Sequence, residues 1–169
     1  TPNGFEQQIL ADKDPNFRVL NLLGTSSGSV FSESRTSYFF KSVGGYHPAK
    51  LRIYQDVIER YFAGKTYPGI LNMLNAKYVI TQSPFSGRDT ILNRSTEVYG
   101  NCWLVKNVYL AKDKIDAFKS IGDMNLRDTA VVVGADAPGL VQPQPDSLST
   151  IRMTKFDNDA IDYEADCKG

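Results

Sequence analysis

The stretch KSVGGYHPAKLRIYQDVIERYF, residues 41–62, decides how this chain is read. Its first half holds the chain's single histidine, a glycine pair, a proline and two lysines, the composition of a ligand-cradling loop. Its second half is apolar at helical spacing. Leu51, Tyr54, Ile58, Tyr61 and Phe62 share one face, and Lys50, Arg52, Asp56, Glu59 and Arg60 lie elsewhere. The four-residue pairs Arg52/Asp56 and Asp56/Arg60 are worth only about 0.2–0.5 kcal/mol each, so burial of the apolar face must hold the helix. The spacing predicts a helix from about Pro48 to Phe62. Gly44 and Gly45 permit a chain reversal before it, and Pro48 presets its first turn.

On either side of this stretch, residues 17–23 form a short apolar run that ends in the Ser/Gly-rich stretch 24–29, and residues 77–81 form a compact β segment. Thr1-Pro2 caps a first short helix with Phe5, Ile9 and Leu10 at helical spacing, and Asp14-Pro15 stops it. Tyr67-Pro68-Gly69 opens another short helix running to about Asn75. Residues 82–101 read as a long polar loop, and residues 103–105, 108–111 and 129–133 as strands. A helix spans Asp113 to Ile121, capped by Asp113, with Ile115, Phe118 and Ile121 inward.

The expected architecture is mixed α/β, with α+β as the neighbouring class. Its helices pack on one small mixed sheet built from the strands near Phe17, Lys77, Trp103 and Thr129. The expected organisation is a body over 1–134, a Pro-rich connection over 135–149 and a C-terminal β-hairpin over 150–169. The hairpin's strands, 150–156 and 160–165, flank the turn Asp157-Asn158-Asp159.

Bulk properties exclude several classes. Nineteen basic residues balance nineteen acidic ones, so no long-range positive field exists to gather nucleic acid. No apolar run approaches the roughly 20 residues that span a bilayer. The opening Thr1-Pro2-Asn3-Gly4 lacks signal-peptide character and reads as the start of an excised fragment. Cys102 and Cys167 lack CxxC spacing and read as unlinked thiols. Asn93-Arg94-Ser95 matches a glycosylation sequon, a pattern common by chance.

Specific chemistries fail on missing partners. Gly24-Thr25-Ser26-Ser27-Gly28 fits a nucleophile elbow, but the only later histidine is His47, with Glu33 the only acid between them. That span is too short for the sheet such a triad requires. The same glycines lack the lysine of a phosphate loop. His47 with two distant cysteines falls short of a zinc ligand set. Asp157/Asp159 and Asp162/Glu164 fit a solvated turn and a strand surface better than paired acid/base catalysis. No catalytic residue, metal ligand or cofactor is therefore assigned. One binding possibility stays open beside the turn reading. Free amides near Gly44 and Gly45 would face an anion, with Lys41, Lys50 and Arg52 supplying charge and Tyr46 and His47 hydrogen bonds.

The segments FRVLNL, TSYFFKSVGGYHPAKLRIYQDVIERYF, LNMLNAKYVI and GNCWLVKNV, in this order, closely resemble the bacterial YfhO membrane-protein family in the form found in Bacteroidetes. TKFDNDAIDYEAD resembles that family's entry into a β-rich region. The resemblance implies a polytopic inner-membrane protein whose soluble segment lies on the extracytoplasmic, periplasmic face. It also implies a link to glycosyl transfer onto envelope glycans from polyprenyl-phosphate sugars. The implied partners are the transmembrane part of the same parent chain and an envelope glycan or lipid-linked sugar. In such transferases the catalytic carboxylates lie near the amino-terminal membrane helices, which this fragment does not match. The fragment itself is then expected to be non-catalytic, within a parent that is a membrane glycosyltransferase. Tyr46, Tyr54 and Trp103 are candidates for sugar stacking, with core packing as their ordinary use. The alternative is a structural or partner-binding module of a membrane protein or transporter.

Overall fold

A computed structural model describes residues 1–23, 31, 33–46, 49–62, 67–86, 89–144, 148–157 and 159–167. The fold is mixed α/β, with five helices and seven strands among these residues. The chain divides into two compact units, Thr1–Gly100 and Asn101–Gly169.

The first unit is organised around a central strand. β1 (Arg18–Asn21) runs parallel to β2 (Ala76–Gln82), and β3 (Thr90–Arg94) returns antiparallel on the other side of β2. Between β1 and β2 come α2 (Arg35–Phe39), α3 (Arg52–Tyr61) and α4 (Pro68–Met73). Because side chains alternate along a strand, each face of this sheet carries its own core. Leu20, Phe31 and Val43 are buried on one side, joined by Val79 of β2, by Ile58 and Phe62 from the α3 region and by Leu71 and Leu74; Ala76, at the start of β2 where the β1–β2 register shifts, packs with them. Ile9, Val19, Tyr78 and Ile80 are buried on the other, joined by Phe5, Phe17, Phe40 and Leu92.

Several local expectations are corrected here. The first helix, α1 (Gly4–Leu10), is capped by Asn3 rather than Thr1-Pro2. The Asn3 side chain accepts from the Glu6 amide at 3.0 Å, and Glu6 accepts from the Asn3 amide at 2.6 Å. This reciprocal box satisfies two otherwise orphan donors, which a proline start could not do. α3 begins at Arg52, four residues later than expected. Leu51 sits at its N-cap with extended backbone and is 73% exposed, so it leaves the apolar face that Tyr54, Ile58, Tyr61 and Phe62 retain. The expected loop over 82–101 contains β3, whose Leu92 reaches the core. Asn75 ends the α4 turn in the left-handed region at φ 57°. Its carbonyl accepts from the Arg18 amide at 2.8 Å, and the Arg18 side chain donates to the Leu74 carbonyl at 2.8 Å, so the exit from α4 also starts the β1–β2 ladder.

The second unit opens with a parallel pair, β4 (Asn107–Ala111) and β5 (Thr129–Val133), linked by α5 (Lys114–Ser120). Asp113 caps α5 as expected, its carboxylate accepting from the Asp116 amide at 2.7 Å. The single four-stranded sheet is not formed. β1 and β2 belong to one sheet and β4 and β5 to another, since strand pairing depends on chain geometry that apolar runs do not encode. Residues 103–105 pair with no strand; the Trp103 indole instead donates to the Leu126 carbonyl at 3.0 Å. Ile115 is 67% exposed rather than inward, while Phe118 and Ile121 are half-buried and no residue of α5 is fully buried.

The stretch after β5 lies inside this unit. It starts with a 3₁₀ turn (Gly134–Asp136), and the Gln142 amide then fastens to Val108 of β4. Gln142 Nε2 donates to the Val108 carbonyl at 2.7 Å, and the Val108 amide donates to Gln142 Oε1 at 2.9 Å. The chain ends in the antiparallel hairpin of β6 (Thr150–Phe156) and β7 (Ile161–Asp166), closed by the Asp157 amide on the Ala160 carbonyl at 2.8 Å. A bulge between Met153 and Lys155 keeps one face apolar. Ile151, Met153 and Phe156 oppose Ala165, Tyr163 and Ile161, although Met153 and Phe156 are an odd number of residues apart. Cys102 and Cys167 are exposed and unlinked.

Candidate functional site

Residues 41–52 are built into the first unit from their start. The Val19 amide donates to the Lys41 carbonyl at 2.9 Å and the Val43 amide to the Val19 carbonyl at 2.9 Å, so this segment lies parallel along the outer edge of β1. Val43 is buried, and its carbonyl accepts from the hydroxyl of the half-buried Tyr54. The Lys41 ammonium donates to the Pro15 carbonyl at 3.0 Å; burial first, then the nearby Arg18, lower its pKa. Burial raises that of Tyr54.

The turn follows. The Gly44 amide is held by Ser42 Oγ at 3.0 Å, and Gly45 adopts φ 103°. A side chain at Gly45 would meet nothing closer than Ser37 Oγ at 3.5 Å, so the backbone angle alone demands glycine there. The Tyr46 amide donates to the Glu33 carbonyl at 3.1 Å, which closes the reversal against the start of α2, and the Tyr46 side chain is left exposed. His47 and Pro48 lie outside the described residues, as do Gly24 to Val30, which include the elbow-like glycines. Lys50 stands over the Phe31 ring at 5.5 Å, and Arg52 pairs with Asp56 at 2.8 Å along α3.

Two of the amides an anion would need, those of Gly44 and Tyr46, are thus spent inside the fold. The cations are likewise directed to Pro15, Phe31 and Asp56. The geometry makes this stretch a β-edge cover and a glycine turn, leaving Tyr46 as its one outward aromatic group among the described residues. Of the other stacking candidates, Tyr54 is committed to Val43 and Trp103 to Leu126.

A second polar constellation joins residues far apart in sequence. Asp12 Oδ2 lies 2.7 Å from the Lys77 ammonium and accepts from the Tyr78 hydroxyl at 2.7 Å, while Asp12 Oδ1 accepts from the Asp14 amide at 3.0 Å. Lys77 also reaches Asp14 at 3.1 Å and stands 5.3 Å from the centre of the Phe17 ring. These hydrogen bonds, Lys77's foremost, hold the Asp12 carboxyl far below the usual carboxylate range. Burial pulls Lys77 down, but its carboxylate partners outweigh it and the net shift is upward; Tyr78 is raised by burial and by Asp12. Every charge has its partner, so the cluster staples the segment after α1 to the central strand. Glu6 is a smaller counterpart, buried and bracketed by the Arg35 guanidinium at 2.8 and 2.7 Å, which lowers its pKa.

Neither cluster was visible from spacing. The only local hint was Asp12 and Asp14 just before Pro15, which also fits a helix stop. Among the described residues no three His, Cys, Asp or Glu side chains converge on a possible metal position, and no helix is long and apolar enough to cross a membrane. The carboxylates Asp162 and Glu164 are exposed, Glu164 pairing with Arg152. No family model matches the chain, and no curated protein or solved structure matches it significantly.

Proposed function

We propose that this chain is an extracytoplasmic segment of a polytopic bacterial membrane protein of the YfhO type, accessory to glycosyl transfer onto envelope glycans from a lipid-linked sugar. The observation that carries the reading is the ordered resemblance of its four segments, centred on residues 36–62. Within those segments Tyr46 offers the stacking surface that an acceptor glycan or sugar phosphate uses. Its ring is 66% exposed while its backbone is fixed by the Gly45 turn and the Glu33 carbonyl. Chemistry belongs to the membrane part of the parent, and this segment positions.

Two measurements test the proposal. Deleting residues 1–169 from the full-length protein should alter envelope glycans, and unchanged glycans would count against it. Titration of the domain with sugar phosphates should shift the Tyr46 ring resonances at millimolar ligand; an unshifted ring removes Tyr46 from the reading. The second reading, a partner-binding module without a transfer role, is favoured by one feature, the uncovered edge strand β7.

A further inference from the structure

The β6–β7 hairpin is a two-stranded ribbon, an arrangement with little stability of its own. Every residue of β7 is exposed. In an antiparallel ladder alternate residues of an edge strand turn their N–H and C=O groups outward, so β7 presents a row of backbone donors and acceptors beyond β6. The hydrogen bonds of residues 161–165 stay within the hairpin.

The side chains say which strand fits there. Asp162, Glu164 and Asp166 recur at every second position and share one face of β7, while Ile161, Tyr163 and Ala165 share the other. On its inner side β7 already pairs with a strand of matching pattern. β6 opposes Glu164 with Arg152 and Asp162 with Lys155, and it lays Met153 and Phe156 against Tyr163 and Ile161. The carboxylate row repels acidic strands, a usual protection of sheet edges. It attracts basic ones by the same charge.

We propose that the outer edge of β7 receives a strand from another polypeptide, one that alternates Arg or Lys with apolar residues. Cations of the incoming strand pair with Asp162 and Glu164, its apolar side chains extend the face made by Ile161 and Tyr163, and β7 becomes the centre of a three-stranded sheet. This partner is independent of the glycan reading, since none of these residues belongs to the 41–52 segment.

The test uses the whole chain and a labelled peptide with the sequence of β6, residues 150–156, against a control peptide in which the positions of Arg152 and Lys155 carry glutamate. Neither peptide requires a change in the protein. The expected result is binding of the basic peptide about tenfold tighter than the control, weakening with salt, with new hydrogen-exchange protection at the outward amides of β7 and unchanged protection in β6. Asp162→Asn, which leaves the Arg152–Glu164 pair intact, should narrow that difference. Equal affinity for the two peptides, loss of β6 protection through strand exchange, or peptide-free self-association of the chain would each overturn the proposal.

Discussion

At Asp12 one carboxylate accepts from the Lys77 ammonium, the Tyr78 hydroxyl and the Asp14 amide, and its side chain is only 11% exposed. Because its folded pKa is depressed, the unfolded chain takes up the proton first as pH falls. The stabilisation is therefore full above the ordinary aspartate value of about 4 and is lost as pH falls through the depressed folded value. Asp12→Asn should cost about 1–3 kcal/mol at pH 7, the penalty of leaving buried donors poorly paired. Urea denaturation of both proteins at pH 7 and near pH 2 checks this: the gap should shrink at the acid end, and an undiminished gap would assign the loss to packing. Lys77 adds the opposite limb. Its raised pKa supplies stability below its ordinary value of about 10.4 that is lost as pH climbs through the folded value. None of this was legible from sequence, since Asp12 and Tyr78 are 66 residues apart and meet only through the fold. The glycine turn was legible because positive φ has a residue signature, and only Gly45 of the pair uses it.

Among the elements, those with strong periodicity or apolar runs were readable. They include β1, β2, β4, β5, α3 and the hairpin strands, each within a few residues of its observed ends. α2 and β3 were missed. α2 has five residues and a single buried one, Thr36, while β3 hides its apolar pair Ile91 and Leu92 among polar neighbours. Edge management escapes sequence patterning altogether. At β4 it rests on the Gln142 amide, which both donates to and accepts from Val108 as a neighbouring strand would. Gln142→Leu keeps comparable bulk and removes both bonds. The Val108 amide should then exchange about tenfold faster, corresponding to a loss of about 1.4 kcal/mol of local protection, while the Tyr109 and Leu110 amides change less. Uniform acceleration across β4 would mean that Gln142 holds the whole unit rather than its edge.

Across the molecule, burial is uneven. The first unit buries side chains on both faces of its sheet, including Ile9, Val19, Leu20, Val43, Tyr61, Ile70 and Ile80, whereas Ala111 and Leu126 are the buried hydrophobic residues described in the second. Apolar burial contributes about 25 cal/mol per Å², so the second unit should open at lower denaturant. Hydrogen exchange across a urea series should show protection lost in β4, β5 and the hairpin before β1 and β2, and a single concerted loss would refute the division. The mixed α/β class was legible because helical and strand patterns alternate along the chain. The separation of β4 and β5 from the β1–β2–β3 sheet was not, since it depends on which strands meet in space.

The bridge between Val19 and Ser42 also bears on how the chain emerges during synthesis. β1 belongs beside β2, yet Leu74, at the entrance to β2, follows Arg18 by 56 residues, so a nascent β1 waits with both edges bare. Ser42 follows Val19 by only 23 residues. The shorter loop closes at lower entropic cost, giving β1 one of its two neighbours before the other has been made.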